Sequence, residues 1–322
     1  MTLLPALSQP TLGITLSENS HKYLLNSKSK RTRQGYKSDL KHFAAFCQSQ
    51  NVLPLPAAPA TVAAYLVMLA EGGFKPTTMS RRLAAISKAH GADQLDSPAS
   101  MKHAVVKEVW AGIRRTIGTA QTTKAAATID YLKLMLAQVP TTLSGLRDRS
   151  LLLLTFAGAL RRSELVALNV EDVAYVPEGL VITIRSSKTD QERAGQKVAV
   201  ASGKVLETCT VRNLRAWLQK GAITKGPIFR GITRWGRVQD EALSDQVVAL
   251  LVKKYAQLAG LDATLFSGHS LRAGLATSAS KVGGVDERII MKQTRHKSEA
   301  MVRRYIRDAN LFSQNVSGMV GL

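Results

Sequence analysis

A run of small and polar residues divides this chain of 322 residues into two stretches with different patterns. Residues 118–128, Gly-Thr-Ala-Gln-Thr-Thr-Lys-Ala-Ala-Ala-Thr, contain almost no large apolar side chain, which is typical of a linker. At about 100–200 residues per domain, the length also predicts two domains. We therefore expect the following segments: an irregular start 1–21, a first domain 22–116, a linker 117–128, a second domain 129–308 and a C-terminal tail 309–322.

Both stretches carry an excess of basic residues. The chain has 44 Lys+Arg and 23 Asp+Glu, which gives a net charge of +21. Residues 22–116 contribute +10 (15 against 5) and residues 117–322 contribute +12 (29 against 17), with −1 from Glu18. Charge spread over two folded domains favours a protein that holds a polyanion between them, although a solvated basic surface is the alternative. Aromatic residues make up only 5%, which argues against a platform of stacked rings for single-stranded nucleic acid.

The hydrophobic spacing predicts a mainly α protein with a small β-sheet, an α+β fold. In the first stretch apolar residues recur at three- and four-residue steps, which indicates a bundle of four helices. The expected helices cover 29–48, 61–70, a third that runs from Pro76 to His90 with Thr77 as its N-cap, and 101–116. In the second stretch β-branched residues predict a strand at 180–188 and a partner at 197–201. The rest is expected to be helical, at about 129 onward, 145–158, 205–220, 244–259, 272–281, 286–293 and 298–307.

Several classes of protein are disfavoured by what the sequence lacks. Cys47 and Cys209 lie far apart without metal-ligand spacing, so we expect reduced thiols of a cytoplasmic protein and no metal. No apolar run approaches 18 residues, and the first twenty residues lack the basic start of a signal peptide. No Gly-rich loop ending in Gly-Lys-Ser/Thr is present, so we expect no ATP and no other cofactor. Chemistry on a phosphate would then depend on cationic side chains.

Cationic side chains cluster at two places in the middle of the chain. Arg161 follows the apolar run 151–154 through a Gly-containing turn, and Glu164 could hold its guanidinium, although a surface Arg–Glu pair is the alternative. Lys188 is expected at the tip of the predicted hairpin, where a lysine is most often only solvated.

Two further clusters lie near the C-terminus. His269 and Arg272 share one face at the start of a helix, where free N–H groups favour an anion, but His-x-x-Arg is common by chance. His296 precedes Tyr305, which has Arg at positions −2, −1 and +2. Cations stabilise a phenolate, so Tyr305 is the best candidate for a nucleophile; the alternative is a ring packed in the core.

Taken in order, these clusters resemble the tyrosine recombinase (phage integrase) family and its Cre-like site-specific recombinases. The family pattern Arg…Lys…His-x-x-Arg…His/Trp…Tyr falls on Arg161, Lys188, His269, Arg272, His296 and Tyr305. Residues 32–37 and 43–47 match the first helix of the family's core-binding domain, and residues 77–83 match its major-groove helix. The resemblance thus implies a helical core-binding domain followed by a catalytic domain.

The resemblance implies a defined chemistry. Tyr305 would attack a phosphodiester, form a 3′-phosphotyrosine link and release a 5′-hydroxyl. Arg161, Arg272 and His296 would bind the non-bridging oxygens. Because the covalent link keeps the phosphodiester energy, neither metal nor ATP is needed.

Three other residues would support that reaction. Lys188 would protonate the departing 5′-oxygen. His269 would share the phosphate contacts or assist proton transfer, and Glu164 would orient the arginines.

The implied partner is duplex DNA with an inverted-repeat recombination site, bound by a dimer, with a tetramer in synapsis and no membrane. The expected DNA contacts are Thr32, Arg33, Thr77, Thr78, Ser80, Arg81, Arg82, Arg234 and Arg237. The tail carries an apolar stripe of Leu311, Phe312, Val316, Met319 and Val320. We expect it to form a helix that docks on a neighbouring protomer; packing on its own domain is the alternative.

The sequence departs from the family pattern at one dipeptide. Most members have Leu-Gly before the His/Trp position, and this chain has Thr294-Arg295, whose added cation could contact DNA. His296 matches the wider family rather than the Trp of close Cre relatives. Two rivals remain: a DNA-binding regulator without activity, and a type IB topoisomerase or telomere resolvase. The six filled positions disfavour the first, and the Cre-like N-terminal half disfavours the second.

Overall fold

The structure is a computed structural model that describes residues 27–120, 123–185, 195–282 and 285–296, with 299, 302, 303, 305, 306 and 320. The chain separates into two compact units, Met1–Thr122 and Thr123–Leu322, called unit 1 and unit 2 below. The predicted irregular start, the hairpin tip with Lys188 and the predicted tail helix, apart from Val320, lie outside the described residues. Within the described ranges, no helix is both long and apolar enough to cross a membrane.

Unit 1 contains the four predicted helices. They are α1 Lys30–Ser49, α2 Pro59–Glu71, α3 Pro76–Ala92 and α4 Ala104–Ile117. Their apolar faces meet around Phe43, Tyr65 and Met79, all of which are buried. The predicted N-cap of α3 is wrong: Lys75 is the N-cap, Pro76 is the first helical residue, and Thr77 lies within the first turn. Proline favours that first position because its fixed φ suits a helix and no partner is needed for the N–H it lacks.

Unit 2 surrounds the buried helix α6 with helices and two small antiparallel sheets. Its helices are α5 Ile129–Ala137, α6 Leu143–Ala157, α7 Arg162–Val166, α8 Thr210–Lys220, α9 Asp245–Leu258, α10 Ser270–Lys281 and α11 Glu287–Thr294. Its strands are β1 Val173–Val176, β2 Gly179–Ile184, β3 Gln196–Ala201, β4 Arg230–Ile232 and β5 Val238–Ala242. Sheet order is β1-β2-β3, with Ile182 opposite Val198, and β4 pairs with β5. Helical conformation returns at Glu299, Val302, Arg303, Tyr305 and Ile306.

The second half of the predicted linker is attached to unit 2. The backbone N–H groups of Ala125 and Ala127 donate to Leu265 (2.7 Å) and Ser270 (2.8 Å). Gly274 permits this approach, since a Cβ there would lie 1.8 Å from the carbonyl oxygen of Ala127. Residues 123–128 therefore pack along the start of α10, the helix that carries Arg272.

Candidate active site

Arg161 enters the site from the end of the buried helix α6. The turn is made by Ala159, whose φ of 45° lies in the left-handed region, and not by the neighbouring Gly158, which is right-handed. Arg161 is then the N-cap residue of α7, and Glu164 is the third helical residue. This short helix therefore brings the Glu164 carboxylate against the Arg161 guanidinium. The sequence left this contact as one of two alternatives for the Arg–Glu pair.

Glu164 is the shared acceptor of two arginines. Its Oε1 accepts from Nη1 of Arg161 at 2.6 Å, and its Oε2 accepts from the Arg161 backbone N–H at 3.0 Å and from Nη2 of Arg295 at 2.9 Å. The residue is only 3% exposed. Burial alone raises the pKa of Glu164, but the charges of Arg295 and Arg161 and the hydrogen bonds from Arg161 outweigh it and lower the pKa below its usual value. The carboxylate is therefore ionised at neutral pH.

Arg272 projects from the first turn of α10 into the same space. It is 4% exposed, and its Nη1 donates to the carbonyl oxygen of Ala159 at 2.5 Å. Its Nη2 is buried and has no hydrogen-bond partner among the described residues. Burial and the nearby charges of Arg161 and Arg295 lower the pKa of Arg272 to about 10, so the side chain remains a cation at neutral pH. A buried cation with an unused donor favours an anionic ligand.

His296 follows α11 and is held by Thr294. The buried Thr294 hydroxyl donates to the Ile290 carbonyl oxygen at 2.7 Å and lies 2.8 Å from Nδ1 of His296. Because the hydroxyl has one proton and gives it to Ile290, it accepts from Nδ1–H of the ring. Burial and the charges of Arg272, Arg161 and Arg295 lower the pKa of His296 to about 4. The ring is thus neutral near pH 7, and its Nε2 carries a lone pair.

Tyr305 lies beside His296, with ring centroids 5.9 Å apart and planes at 39°. Its ring is half-buried against a small cluster that includes Ala276, Ile290 and Val302, and its hydroxyl interacts electrostatically with Arg272. Arg303 pairs instead with Glu287 and Glu299 on the exposed side. Among the described residues, positive charge near Tyr305 therefore comes from Arg272, the second arginine of the motif, rather than from Arg303.

Tyr255 offers a contrast among the tyrosines. It is fully buried and donates to Oδ2 of Asp148 at 2.7 Å, and burial and this carboxylate raise its pKa. A hydroxyl committed in this way has no access to DNA.

Sequence reasoning marked Arg295 only as a departure that could contact DNA, and the structure places it inside the site. Its side chain is 7% exposed and bonds to Glu164 and, at 3.1 Å, to the Ala159 carbonyl oxygen. Arg295 has φ 55° and ψ 41°, the left-handed conformation that ends α11. A residue other than glycine at a position where the family has glycine was the sequence feature that could have indicated a role for its side chain.

The remaining predicted site residues differ in how exposed they are. His269 is the exposed N-cap residue of α10, and its backbone N–H donates to the Ser267 hydroxyl at 3.2 Å. Thr32 and Thr78 are half-buried. The exposed members of the predicted DNA-contact set are Arg33, Thr77, Ser80, Arg81, Arg234 and Arg237.

The predicted DNA contact at Arg82 requires correction. Its side chain points into unit 1, where Nη1 contacts Nδ1 of His42 at 2.9 Å and donates to the Tyr65 hydroxyl at 3.0 Å. The guanidinium also covers the Phe74 ring at 4.4 Å. Arg82 lies on the core face of α3 and Arg81 on the exposed face, since neighbouring residues of a helix point about 100° apart. Arg82 is therefore a structural residue.

Comparisons with known proteins identify the family and the fold. Residues 128–311 match the phage integrase family, and residues 21–91 match the phage integrase N-terminal SAM-like domain. An integrase/recombinase xerD homolog of Selenomonas ruminantium is 44% identical over 304 residues, covering 93% of this chain and 88% of the relative. The tyrosine recombinase XerC of Syntrophus aciditrophicus is 28% identical, covering 86% and 87%. The XerH site-specific recombinase, solved in a post-cleavage complex with a palindromic difH substrate, has a similar fold: TM-score 0.61, 17% identity, coverage 86% and 75%.

The chain belongs to the phage integrase family. The predicted α+β fold class is confirmed, and so is the predicted enzyme class, a tyrosine site-specific DNA recombinase. The regulator and the topoisomerase or telomere resolvase are not favoured.

Proposed function

We propose that this recombinase cleaves and rejoins duplex DNA with Tyr305 as nucleophile, at a phosphate held by Arg161 and Arg272. The observation that carries the proposal is the buried cation of Arg272, whose Nη2 lacks a partner among the described residues while its charge interacts with Tyr305. A phosphodiester oxygen would supply the missing acceptor.

The reaction transfers a phosphoryl group from the 5′-oxygen of the DNA to the tyrosine oxygen. The Tyr305 oxygen attacks phosphorus, the bond to the 5′-oxygen breaks, and a 3′-phosphotyrosine and a free 5′-hydroxyl result. Arg161 and Arg272 neutralise the charge that accumulates on the non-bridging oxygens. Glu164 keeps the Arg161 guanidinium in place through the 2.6 Å ion pair. Religation is the reverse attack by a 5′-hydroxyl, so no external energy source is required.

His296 would act through its Nε2. Since the ring is neutral with its proton on Nδ1, Nε2 can accept the hydroxyl proton of Tyr305 as the attack proceeds. The N–H formed there can then donate to a non-bridging oxygen, which is the phosphate contact that the family resemblance implies for His296.

Two further residues, Lys188 and His269, have roles that are proposed from the family resemblance and their positions in the chain. Lys188 belongs to the segment between β2 and β3, and its ammonium would give a proton to the departing 5′-oxygen. His269, at the start of α10, would share the phosphate contacts or assist proton transfer.

We also propose a cytoplasmic setting and a partner of duplex DNA with inverted half-sites, bound by two protomers and joined in a tetramer during synapsis. The net charge of +21 and the exposed basic residues on both units support DNA binding. The tail 309–322 would contact a neighbouring protomer. Its deletion should then preserve half-site binding and remove cooperativity on a full site, with thermal melts of both proteins as the control.

Covalent capture on randomised duplexes tests the proposal whatever the target sequence is. The protein is incubated with nicked duplexes whose arms are randomised, so that cleavage releases a short 5′-hydroxyl fragment and traps the adduct. Adducts are recovered under denaturing conditions and sequenced, and the recovered duplex is then tested for strand exchange. Wild-type protein should yield one family of half-sites and Tyr305→Phe none. No adduct with wild-type protein, or an equal yield with the variant, would contradict the proposal.

A further inference from the structure

We propose that Arg295 is a positioning residue of the active site: it fastens Glu164 to the Ala159 turn and adds a third positive charge to the phosphate site. This inference rests on the proposed cleavage reaction and extends it to a residue outside the six-residue motif.

The first observation is that Arg295 joins the supports of the two motif arginines. A single nitrogen, Nη2, donates to Oε2 of Glu164 at 2.9 Å and to the Ala159 carbonyl oxygen at 3.1 Å. Glu164 holds Arg161, and the Ala159 carbonyl holds Arg272. Arg161 and Arg272 come from different helices, and Arg295, at the end of a third, links the acceptors of both.

The second observation is that the side chain is buried with unused donors. It is 7% exposed, and its Nε and Nη1 have no hydrogen-bond partner among the described residues. Nη2 of Arg272 is in the same condition. Buried N–H groups without acceptors are costly, and two arginines with such groups in one site favour an anion, which Arg272 would contact and the charge of Arg295 would attract.

The third observation is the charge of the cluster. Arg161, Arg272 and Arg295 each carry one positive charge, and Glu164 one negative charge, while His296 is neutral near pH 7. The net charge is +2 with Arg295 and +1 without it. A phosphodiester carries one negative charge and its pentacoordinate transition state two, and His296 adds one positive charge when it takes the proton of the nucleophile. Arg295 adds a further positive charge, which interacts more strongly with the doubly charged transition state than with the ground state.

A DNA-surface role does not fit these observations. An arginine that contacts the DNA backbone outside the active site needs an exposed guanidinium, whereas this one is enclosed and bonded to a buried carboxylate. Its left-handed backbone is also a conformation that glycine adopts more easily. The arginine is thus tolerated at an unfavourable backbone position where its side chain makes buried contacts.

The test compares Arg295→Gln and Arg295→Gly on two versions of the captured duplex, one with a phosphodiester and one with a neutral methylphosphonate at the cleaved position. Single-turnover adduct formation on the phosphodiester should slow by about tenfold or more, less than the ~10²–10³ expected for a direct oxyanion donor. On the neutral linkage the loss should be below about threefold, because little charge remains to be stabilised. Arg295→Lys should recover part of the phosphodiester rate, since it retains the charge.

Arg288→Gln is the matched control, because it removes one positive charge from the exposed side of the same helix α11. It should show the wild-type ratio of the two rates. Arg295→Gly relieves the backbone, so its loss of rate is not attributable to strain. Rates within twofold of wild type, or equal losses on both linkages, would overturn the inference. If wild-type protein forms an adduct and the Arg295 variants are unchanged, only this inference fails; if wild-type protein forms none, the proposed reaction itself fails.

Discussion

The hydroxyl of Thr294 lies 2.8 Å from Nδ1 of His296 and determines which nitrogen of the ring carries the proton. The hydroxyl proton is used by Ile290, so the ring must donate from Nδ1 and expose a lone pair at Nε2. A leucine, as in most of the family, has no oxygen for this purpose. The Thr294-Arg295 dipeptide therefore fixes the tautomer of His296 and adds a positive charge beside it.

The first prediction concerns this hydroxyl. Thr294→Val should slow adduct formation by about tenfold, because Nδ1–H loses its acceptor and Nε2 no longer remains a fixed proton acceptor. Thr294→Ser keeps the oxygen and should stay within about threefold of wild type. Single-turnover rates on the captured duplex, with thermal melts of both variants, decide the matter. Equal rates for the two variants would show that the tautomer does not limit cleavage.

The second prediction concerns the pH dependence of stability. Burial and the charges of Arg272, Arg161 and Arg295 lower the pKa of His296 to about 4, whereas an unfolded chain titrates near 6.5. Between these values the unfolded state binds more protons. The stabilisation from the neutral ring is therefore complete above about pH 6.5 and is lost as the pH falls toward about 4. Chemical denaturation should show wild-type protein losing more unfolding free energy than His296→Gln between pH 7 and 5; parallel losses would contradict this.

The third prediction separates two tyrosines. Tyr305→Phe should abolish covalent attachment and leave DNA affinity within about twofold, because only the nucleophilic oxygen is lost. Tyr255→Phe should retain attachment but lower the free energy of unfolding by about 1–3 kcal/mol, since it leaves Oδ2 of Asp148 buried without its donor. Denaturing gels and thermal melts of both variants measure the two effects. An adduct formed by Tyr305→Phe would assign the nucleophile elsewhere.

The fourth prediction concerns the motif arginines. Arg161→Ala and Arg272→Ala should each slow adduct formation by at least about 10²-fold, the loss typical of one transition-state donor. Arg162→Ala is the neighbouring control, because Arg162 pairs with Asp245 at 3.4 Å and is not part of the Glu164 cluster. A near-wild-type rate for either motif variant would remove that residue from the site.

The helices could be predicted because each buries one side, and a one-sided apolar pattern is visible in the sequence. All four helices of unit 1 begin and end within three residues of the predicted bounds. The strands β1, β4 and β5 and the helix α7 were not predicted. Each has only three to five residues, too few for a period to be recognised, and the strands depend on partners such as Leu180, opposite Tyr175.

The motif residues are predicted from their order, and Glu164 from its spacing to Arg161, but the contacts of Arg295 could not be predicted. Arg295 joins Glu164 to the Ala159 turn only because two left-handed residues, Ala159 and Arg295 itself, end their helices in the required directions. Alanine and arginine do not favour the left-handed conformation, so nothing in the sequence indicates it at either position. Arg82 was misplaced for a different reason: adjacent arginines look equivalent in a sequence, and only the packing of α3 shows which one faces the core.

The last prediction tests that distinction. Arg82→Ala should lower the free energy of unfolding of unit 1 by about 2–4 kcal/mol, because it leaves the buried Tyr65 hydroxyl without its cationic donor and removes one of the two arginines beside the buried Asp39 carboxylate. The Arg81 side chain is 53% exposed, and Arg82 still lies beside Asp39 when Arg81 is removed, so Arg81→Ala should change stability by less than about 1 kcal/mol. Its effect should be on DNA: weaker binding to the captured duplex, with the slope of log K against log salt reduced by about one phosphate contact. Denaturant melts give the unfolding free energy of each variant, and salt titrations give the salt slope of each. A stable Arg82→Ala protein with a reduced salt slope would return Arg82 to the DNA-contact set, and an unchanged slope in Arg81→Ala would remove Arg81 from it.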